Sequence, residues 1–529
     1  MSKTRYSGSN VSDMFVDSVV QIPHVGITLA SDLVDEGLRV LYKAVFNQDM
    51  KKEEKEDDKN TIPSEVSSLT GMTFGHVASK WKKGKVYFPP LDYRHKIVLG
   101  CTGAGKTFWA INYVVNCDHG CAYLDNADGE AIDRILERLP EERLKKTVVL
   151  DHYNKKFPLP IGVIPKEYRD VFHSDAVVGS WVSFFEANFN IDRLYRTSEL
   201  IAYSCKLAFS VEGTTFFDVI RIVKDGRYRK YLIRRLDRTN HRDIIEWWNT
   251  FDGYSDGKKV EIVSAFLHRA EVLFRDRMMR YTLGQMPKNL DYRKWMDEGY
   301  TVLIKAPETL GEMSVRIIMA IHALSFWQAA LTRDDIQKEQ RTPFTLIGDE
   351  PQSWLFNNST TIDNIFSKAR KYGFGMICLF QSFDQIASES PALMKTMIAN
   401  SPDLLVFRTS KKQLDIKEWD VETLPSYHFV GRVKGSKYFM AKAPAPAKKL
   451  RGWDELNKIY RENRERFNLD YKEIDSTMER RMYLCRDEEE TSTQEKSQLE
   501  SQKSGSIRTS DLLSQNETEK SSNSSVMFG

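Results

Sequence analysis

Residues 97–109 read Ile-Val-Leu-Gly-Cys-Thr-Gly-Ala-Gly-Lys-Thr-Phe-Trp, and they constrain the fold more than any other stretch of the chain. Gly100, Gly105, Lys106 and Thr107 match G-x-x-x-x-G-K-[ST], the phosphate-binding loop. The apolar run Lys96 to Leu99 predicts a buried strand before the loop. Lys106 to about Asn116 predicts a helix after it. Between them, glycines let backbone N–H groups wrap a phosphate, because no Cβ blocks the approach. The loop residues Gly100, Cys101, Thr102, Gly103, Ala104, Gly105, Lys106 and Thr107 are thus the candidate nucleotide-binding set. Lys106 is placed for the β- and γ-phosphates and Thr107 for Mg²⁺, which makes ATP and Mg²⁺ the expected ligands. The helix N-terminus adds a favourable dipole for the anion.

The pattern around this loop predicts an α/β fold. Val86 to Pro90, Ala122 to Asp125 and Thr147 to Asp151 read as strands, and strand–helix alternation indicates a parallel sheet. From about Pro165 to Asp297 strand alternation vanishes. Helical stretches replace it at Ser180–Asn188, Ser198–Phe209, Phe216–Val223, His241–Asn249 and Lys258–Tyr281. This predicts an all-α insertion, in which Trp247 and Trp248 belong to the core. Arg227-Tyr228-Arg229-Lys230-Tyr231 with Arg234 and Arg235 interleaves bases and aromatics, a composition that suits nucleic acid or a solvated helix face. Strands resume at Thr301–Ala306, Pro343–Asp349, 375–381 and Leu404–Arg408, with a final hairpin over His428–Lys442 that turns at Gly435. The expected organisation is an N-terminal helical segment and charged linker (1–62), an ATPase core in two parts (63–164 and 298–450) around the insertion (165–297), a charged helix (451–485) and a disordered tail (486–529). The tail is rich in Ser, Gln, Glu and Lys and buries too little to offset its ordering entropy.

Asp349-Glu350 ends an apolar strand, where Asp349 would hold the Mg²⁺ shell and Glu350 would orient and deprotonate an attacking water. Gln381 ends a neighbouring strand and is placed to contact the γ-phosphate. Arg370 and Arg408 are the candidates for a charge-stabilising arginine supplied by a neighbouring subunit, with Arg370 preferred.

Composition narrows the classes further. The net charge of +3 in 529 residues carries no global signature for polyanions, so any nucleic-acid contact is local. Lys80-Trp81-Lys82-Lys83-Gly84-Lys85 is one such basic run, read equally as a backbone contact or as a charged hairpin. The six cysteines are scattered, and Cys117-Asp118-His119-Gly120-Cys121 lacks a second ligand pair at zinc spacing. They read as reduced thiols of a cytoplasmic protein. The longest uncharged runs, Ser18–Ser31 and Ile317–Thr332, fall short of the ~20 apolar residues that a span needs, so no intrinsic membrane span is expected.

The motifs occur in a telling order: Arg94-His95, the phosphate loop, Leu124-Asp125, Asp349-Glu350-Pro351-Gln352, Ala369-Arg370-Lys371-Tyr372 and Gln381. This order resembles the HerA–FtsK superfamily of hexameric DNA pumps. Within it, the chain looks most like the TraG/TraD-type coupling ATPases of conjugative type IV secretion, over roughly residues 70–445. The resemblance implies a RecA-like P-loop core and Mg²⁺-dependent ATP hydrolysis by Lys106, Thr107, Asp349 and Glu350. It also implies a sensor role for Gln381 and a trans-acting role for Arg370. It implies a homo-oligomeric, hexameric ring acting on DNA, with relaxase, secretion-channel or capsid proteins as partners. Membrane-anchored relatives begin with transmembrane helices. Their absence here implies recruitment to the inner face of the membrane by a partner, or another task such as viral genome packaging. A protein-translocating ATPase of the secretion channel shares the same core. A non-enzymatic scaffold does not require the intact set of Lys106, Asp349, Glu350 and Gln381.

Overall fold

The computed structural model describes residues 62–67, 69–77, 85–161, 174–188, 195–355, 359–384, 387, 390–410 and 419–479. The expectations for the N-terminal segment, for the basic run through residue 84 and for the tail fall outside these residues.

The chain divides into two compact units. The first comprises the described residues of Met1–Val148, Arg293–Leu303 and Arg333–Gly452. Its framework is a sheet of strands β1 (Thr73–Val77), β2 (Lys85–Tyr87), β3 (Lys96–Leu99), β4 (Gly120–Asp125), β5 (Thr147–Asp151), β6 (Thr301–Lys305), β7 (Phe344–Asp349), β8 (Phe374–Phe380), β9 (Asp403–Val406), β10 (His428–Arg432) and β11 (Phe439–Lys442). The order is β2-β1-β11-β10-β9-β3-β8-β7-β4-β6-β5, and β5 and β6 carry the chain across the unit boundary. Strands β9, β3, β8, β7 and β4 run parallel. The β9–β10, β10–β11, β11–β1 and β1–β2 pairs are antiparallel. This is the α/β, RecA-like class of core. The parallel strands are buried on both faces and therefore read as continuous apolar runs. Strand β4 pairs with β7, not with β3, although it is the next strand in the chain.

Lys96 begins β3 and is fully buried. A buried ammonium survives only if paired. Its Nζ lies 3.1 Å from Asp92 and 3.3 Å from Asp403, and 4.5 Å from the centre of the Phe88 ring. Arg94 bonds to Asp92 at 2.7 Å and reaches Asp403 at 3.2 Å. Because Lys96 and Asp403 are register partners of β3 and β9, this charge group pins the pairing of the loop strand. Burial pushes the Asp92 carboxyl up, yet Lys96 and Arg94 together hold it below the usual carboxylate range.

The second unit comprises the described residues of Val149–Tyr292, Ile304–Thr332 and Trp453–Gly529. It is built mainly of helices, among them Ser174–Asn188, Tyr195–Ser210, Phe216–Lys224, Gly226–Ile233, Arg242–Asp252, Asp256–Arg275 and Arg277–Leu283. Asp276 ends one helix and caps the next by accepting from Met279 N–H at 3.1 Å, which breaks the continuous helix expected over Lys258–Tyr281. Trp181, Phe184, Phe185, Phe216 and Phe266 form an aromatic core. Trp248 is fully buried, and Trp247 stacks on Tyr203 with ring centres 4.6 Å apart. Thr215 and Asp218 close a capping box, and Tyr228 O–H donates to Asp218 at 2.7 Å.

The helix Glu312–Leu331 corrects the length argument made from uncharged runs alone. Within the 24-residue span Glu312–Asp335 an 18-residue window has a mean hydropathy of 1.3, long and apolar enough to cross a membrane, and 89% of that window is buried. Nearly every residue from Ile317 to Ala330 is packed inside, which explains the apolarity without a bilayer.

Histidine burial links the fold to pH. Met376 N–H donates to His95 Nδ1 at 3.0 Å, and burial, with Arg370 and Lys96 adding repulsion, holds His95 down at about 3. His152 is held at about 3 by burial, and His322, bonded to it at 2.8 Å, is held well below its ordinary value. These groups are neutral when folded and protonate at about 6.5 when unfolded. Their contribution is therefore complete above that value and is lost as pH falls toward 3. The unfolding free energy is expected to drop between pH 7 and pH 5, measured by urea titration. His95→Asn, which keeps an acceptor for Met376 N–H but cannot charge, should narrow that difference by up to about 2 kcal/mol.

Candidate nucleotide site

Strands β3, β8 and β7 lie side by side in parallel register, with Leu99 opposite Phe380 and Asp349 opposite Leu379. Each continues at its C-terminal end into a segment that the sequence singled out. After β3 comes the loop Gly100–Lys106, after β8 Gln381, and after β7 Glu350. In an open parallel sheet this edge is where ligands bind.

The loop is held on both flanks. Gly100 N–H donates to Phe380 O at 3.0 Å and Cys101 N–H to Arg408 O at 2.8 Å. A Cβ on Gly100 would sit 2.7 Å from Phe407 Cβ, so the neighbouring strand packs against bare backbone. Gly103 and Gly105 have φ of 75° and 116°, which a side chain would oppose. Lys106–Asn116 is the helix that follows, and the N–H groups of its first turn have no partner within the helix.

Lys106 Nζ donates to Gly100 O at 2.6 Å and Cys101 O at 3.3 Å, so the ammonium lies curled inside the loop. Burial lowers its pKa, against the opposing pull of Asp349 and Glu350. Thr107 Oγ1 donates to Asp349 Oδ2 at 2.9 Å, and Tyr123 O–H donates to the same oxygen at 3.1 Å. Burial raises Asp349, although Thr107, Tyr123 and Lys106 oppose it. Two hard oxygen donors in contact at the mouth of a phosphate loop fit Mg²⁺, which binds few protein oxygens and completes its shell with water and phosphate.

Gln381 Nε2 donates to Glu350 Oε1. Glu350 stands at φ 46°, a left-handed conformation for a non-glycine residue, and its N–H is bound to Leu379 O at 3.1 Å. Such a conformation costs on the order of 1–3 kcal/mol and is kept where surroundings enforce it. Tyr123, in the C-terminal half of β4, is a member that sequence reading missed. Only the placement of β4 beside β7 brings its hydroxyl to Asp349.

The two arginines lie elsewhere. Arg370 precedes β8 in the short turn Ala369–Tyr372 and is exposed. The seven residues of β8 separate it from the edge that carries Gln381, on the order of 20 Å of strand. Arg370 is therefore not part of this chain's own site. Arg408 follows β9, on the flank of β3 opposite Asp349 and Glu350, and is half-buried. In the basic run of the second unit, Tyr228 and Arg229 are buried. Arg229 bonds to Ile222 O and Asp252, so only Arg227, Lys230, Arg234 and Arg235 face solvent.

Cys117, Asp118 and His119 bring potential metal-ligand atoms within 4.8 Å of one another. His119 already bonds to Asp118 and Thr345 at 2.8 Å each, which satisfies both ring nitrogens.

This geometry defines a P-loop nucleotide-binding α/β protein. No protein-family model matches the chain, and no curated protein matches it. Among solved structures it is similar to the unbound bacterial conjugative coupling protein TrwB, at 15% identity over 68% of this chain and 86% of that one, with a TM-score of 0.46. A plasmid coupling protein TrwB structure with ADP and Mg²⁺ aligns at 14% identity over 68% and 87%, TM-score 0.47. VirB4 of Thermoanaerobacter pseudethanolicus aligns at 13% identity over 72% and 98%, TM-score 0.49.

Proposed function

We propose that the chain is an ATP-driven motor that hydrolyses ATP and translocates DNA as a homo-oligomeric ring. The observation that carries the hydrolytic part is the pairing of Thr107 with Asp349 and of Glu350 with Gln381 at one sheet edge. In this reading the loop amides and Lys106 bind the phosphates, while Thr107 and Asp349 would hold Mg²⁺, which would supply charge neutralisation. Glu350 takes a proton from the water that attacks the γ-phosphorus, and ADP and phosphate leave. Gln381, bonded to the base Glu350, is placed to couple the state of the γ-phosphate to the position of that base.

The DNA part draws on the motif order and on the solvent-facing Arg227, Lys230, Arg234 and Arg235. The motif order, which resembles the TraG/TraD-type coupling ATPases, makes conjugative transfer the preferred setting.

The purified chain is expected to hydrolyse ATP with Mg²⁺, and DNA should raise the rate several-fold. A rate unchanged by single- or double-stranded DNA would remove the DNA-motor reading in favour of protein translocation. Glu350→Gln should bind ATP with near-normal affinity in calorimetry and lose at least about a hundredfold in turnover. A fully active variant would exclude Glu350 as the base. Arg370→Ala should leave nucleotide affinity intact while depressing turnover of the assembled oligomer by about a thousandfold or more. Normal turnover would move the trans-acting role to another residue.

A further inference from the structure

We propose that Tyr427, backed by Phe108, is the surface on which the base of the bound nucleotide stacks. This rests on the reading of the chain as a nucleoside triphosphatase and adds the subsite that holds the nucleoside end.

Direction comes from the sheet order. The loop strand β3 lies between β8–β7 on one flank and β9–β10 on the other. Asp349 and Glu350 mark the β7 flank, where the γ-phosphate and the water must meet. The nucleoside end of the same molecule therefore points to the β9–β10 flank. Tyr427 stands on that flank, immediately before β10.

Its attachment to the loop is direct. Tyr427 N–H donates to Ala104 O at 2.9 Å, and its carbonyl accepts from Ala443 N–H at 2.7 Å. The backbone is held at φ 67°. A Cβ on Gly105 would lie 3.0 Å from the Tyr427 ring, so this loop glycine gives the ring room to rest on the backbone. Phe108 follows Thr107, in the turn whose amides face the α- and β-phosphates. Its ring centre lies 4.8 Å from that of Tyr427, at 57°. One side of the tyrosine is thus fixed against the loop and Phe108, yet 43% of the residue remains exposed. By contrast, Phe429 two residues on is fully buried. A large aromatic held by the phosphate loop and left open to solvent is suited to stack a planar ligand, and stacking accepts any base because every base has a π-face.

The test uses the full chain, calorimetry, and two probes with Mg²⁺: ATP and inorganic tripolyphosphate. Tyr427→Ala should weaken ATP about tenfold and leave tripolyphosphate affinity unchanged. Tyr427→Leu, which keeps apolar bulk against Gly105 and Phe108, should lose ATP affinity in the same way, and Tyr427→Phe should retain it. The inference is overturned if Tyr427→Ala and Tyr427→Leu bind ATP like the parent. It is also overturned if both probes weaken together, because the residue then only shapes the loop. If the parent chain binds neither probe, the triphosphatase reading itself fails. If the parent binds both and the tyrosine variants do not discriminate, only the stacking subsite fails.

Discussion

Parallel pairing of β3 with β8 and of β8 with β7 is the constraint on which the site depends. The backbone bonds of these two ladders bring Gly100, Gln381 and Asp349 to one edge from regions far apart in the chain. No side-chain contact could do this alone, because Thr107 and Asp349 are separated by 242 positions. The buried charge group at the other end of β3 serves the same alignment. Shifting Lys96 by one residue relative to Asp403 would strand an ammonium and a carboxylate inside the sheet, at a cost of several kcal/mol per ion. The register of the loop strand is thus specified electrostatically below and by loop packing above.

Placing β8 between the loop strand and the acid strand has a chemical consequence. Gln381 stands between the phosphate loop and Glu350, and its amide donates to the Glu350 carboxylate. Lys106 is likewise committed, to the carbonyls of its own loop. Both groups that would engage phosphate are therefore satisfied internally, which avoids an unpaired buried ammonium and fixes the carboxylate.

Much of the core was legible because strands buried on both faces leave uninterrupted apolar runs. Phe344–Asp349 and Phe374–Phe380 are of this kind, and the polar residue that ends each run marks the ligand edge. Strand β1 was missed, since Thr73-Phe-Gly-His-Val carries a glycine and a histidine and pairs at an antiparallel margin. The neighbours of β4 were not legible either, because strand order depends on long-range pairing that no local pattern encodes. With that order went the role of Tyr123. Within the basic–aromatic run, composition did not separate inward from outward residues: Tyr228 and Arg229, though adjacent, both turn inward to bond with Asp218 and with Ile222 O, while Arg227, Lys230, Arg234 and Arg235 face solvent. Tyr427 escaped notice because its significance lies in a backbone bond to Ala104, not in any motif.

The polarity of the sheet also bears on assembly. Strand direction places the phosphate loop, Gln381 and Glu350 at the C-terminal edge and exposed Arg370 at the N-terminal edge. A two-fold pair joins like surface to like surface, so it would bring two loop edges or two Arg370 edges together. A head-to-tail contact joins unlike surfaces and would set the Arg370 edge of one copy against the loop edge of the next. Repeated with a closing rotation, that contact makes a ring. Among the described residues, Lys106 is the only cation bonded within the loop, and it already serves the phosphates on the proposed reading. On the proposed reading, Arg370 reaches the γ-phosphate of a neighbouring copy only through a head-to-tail contact.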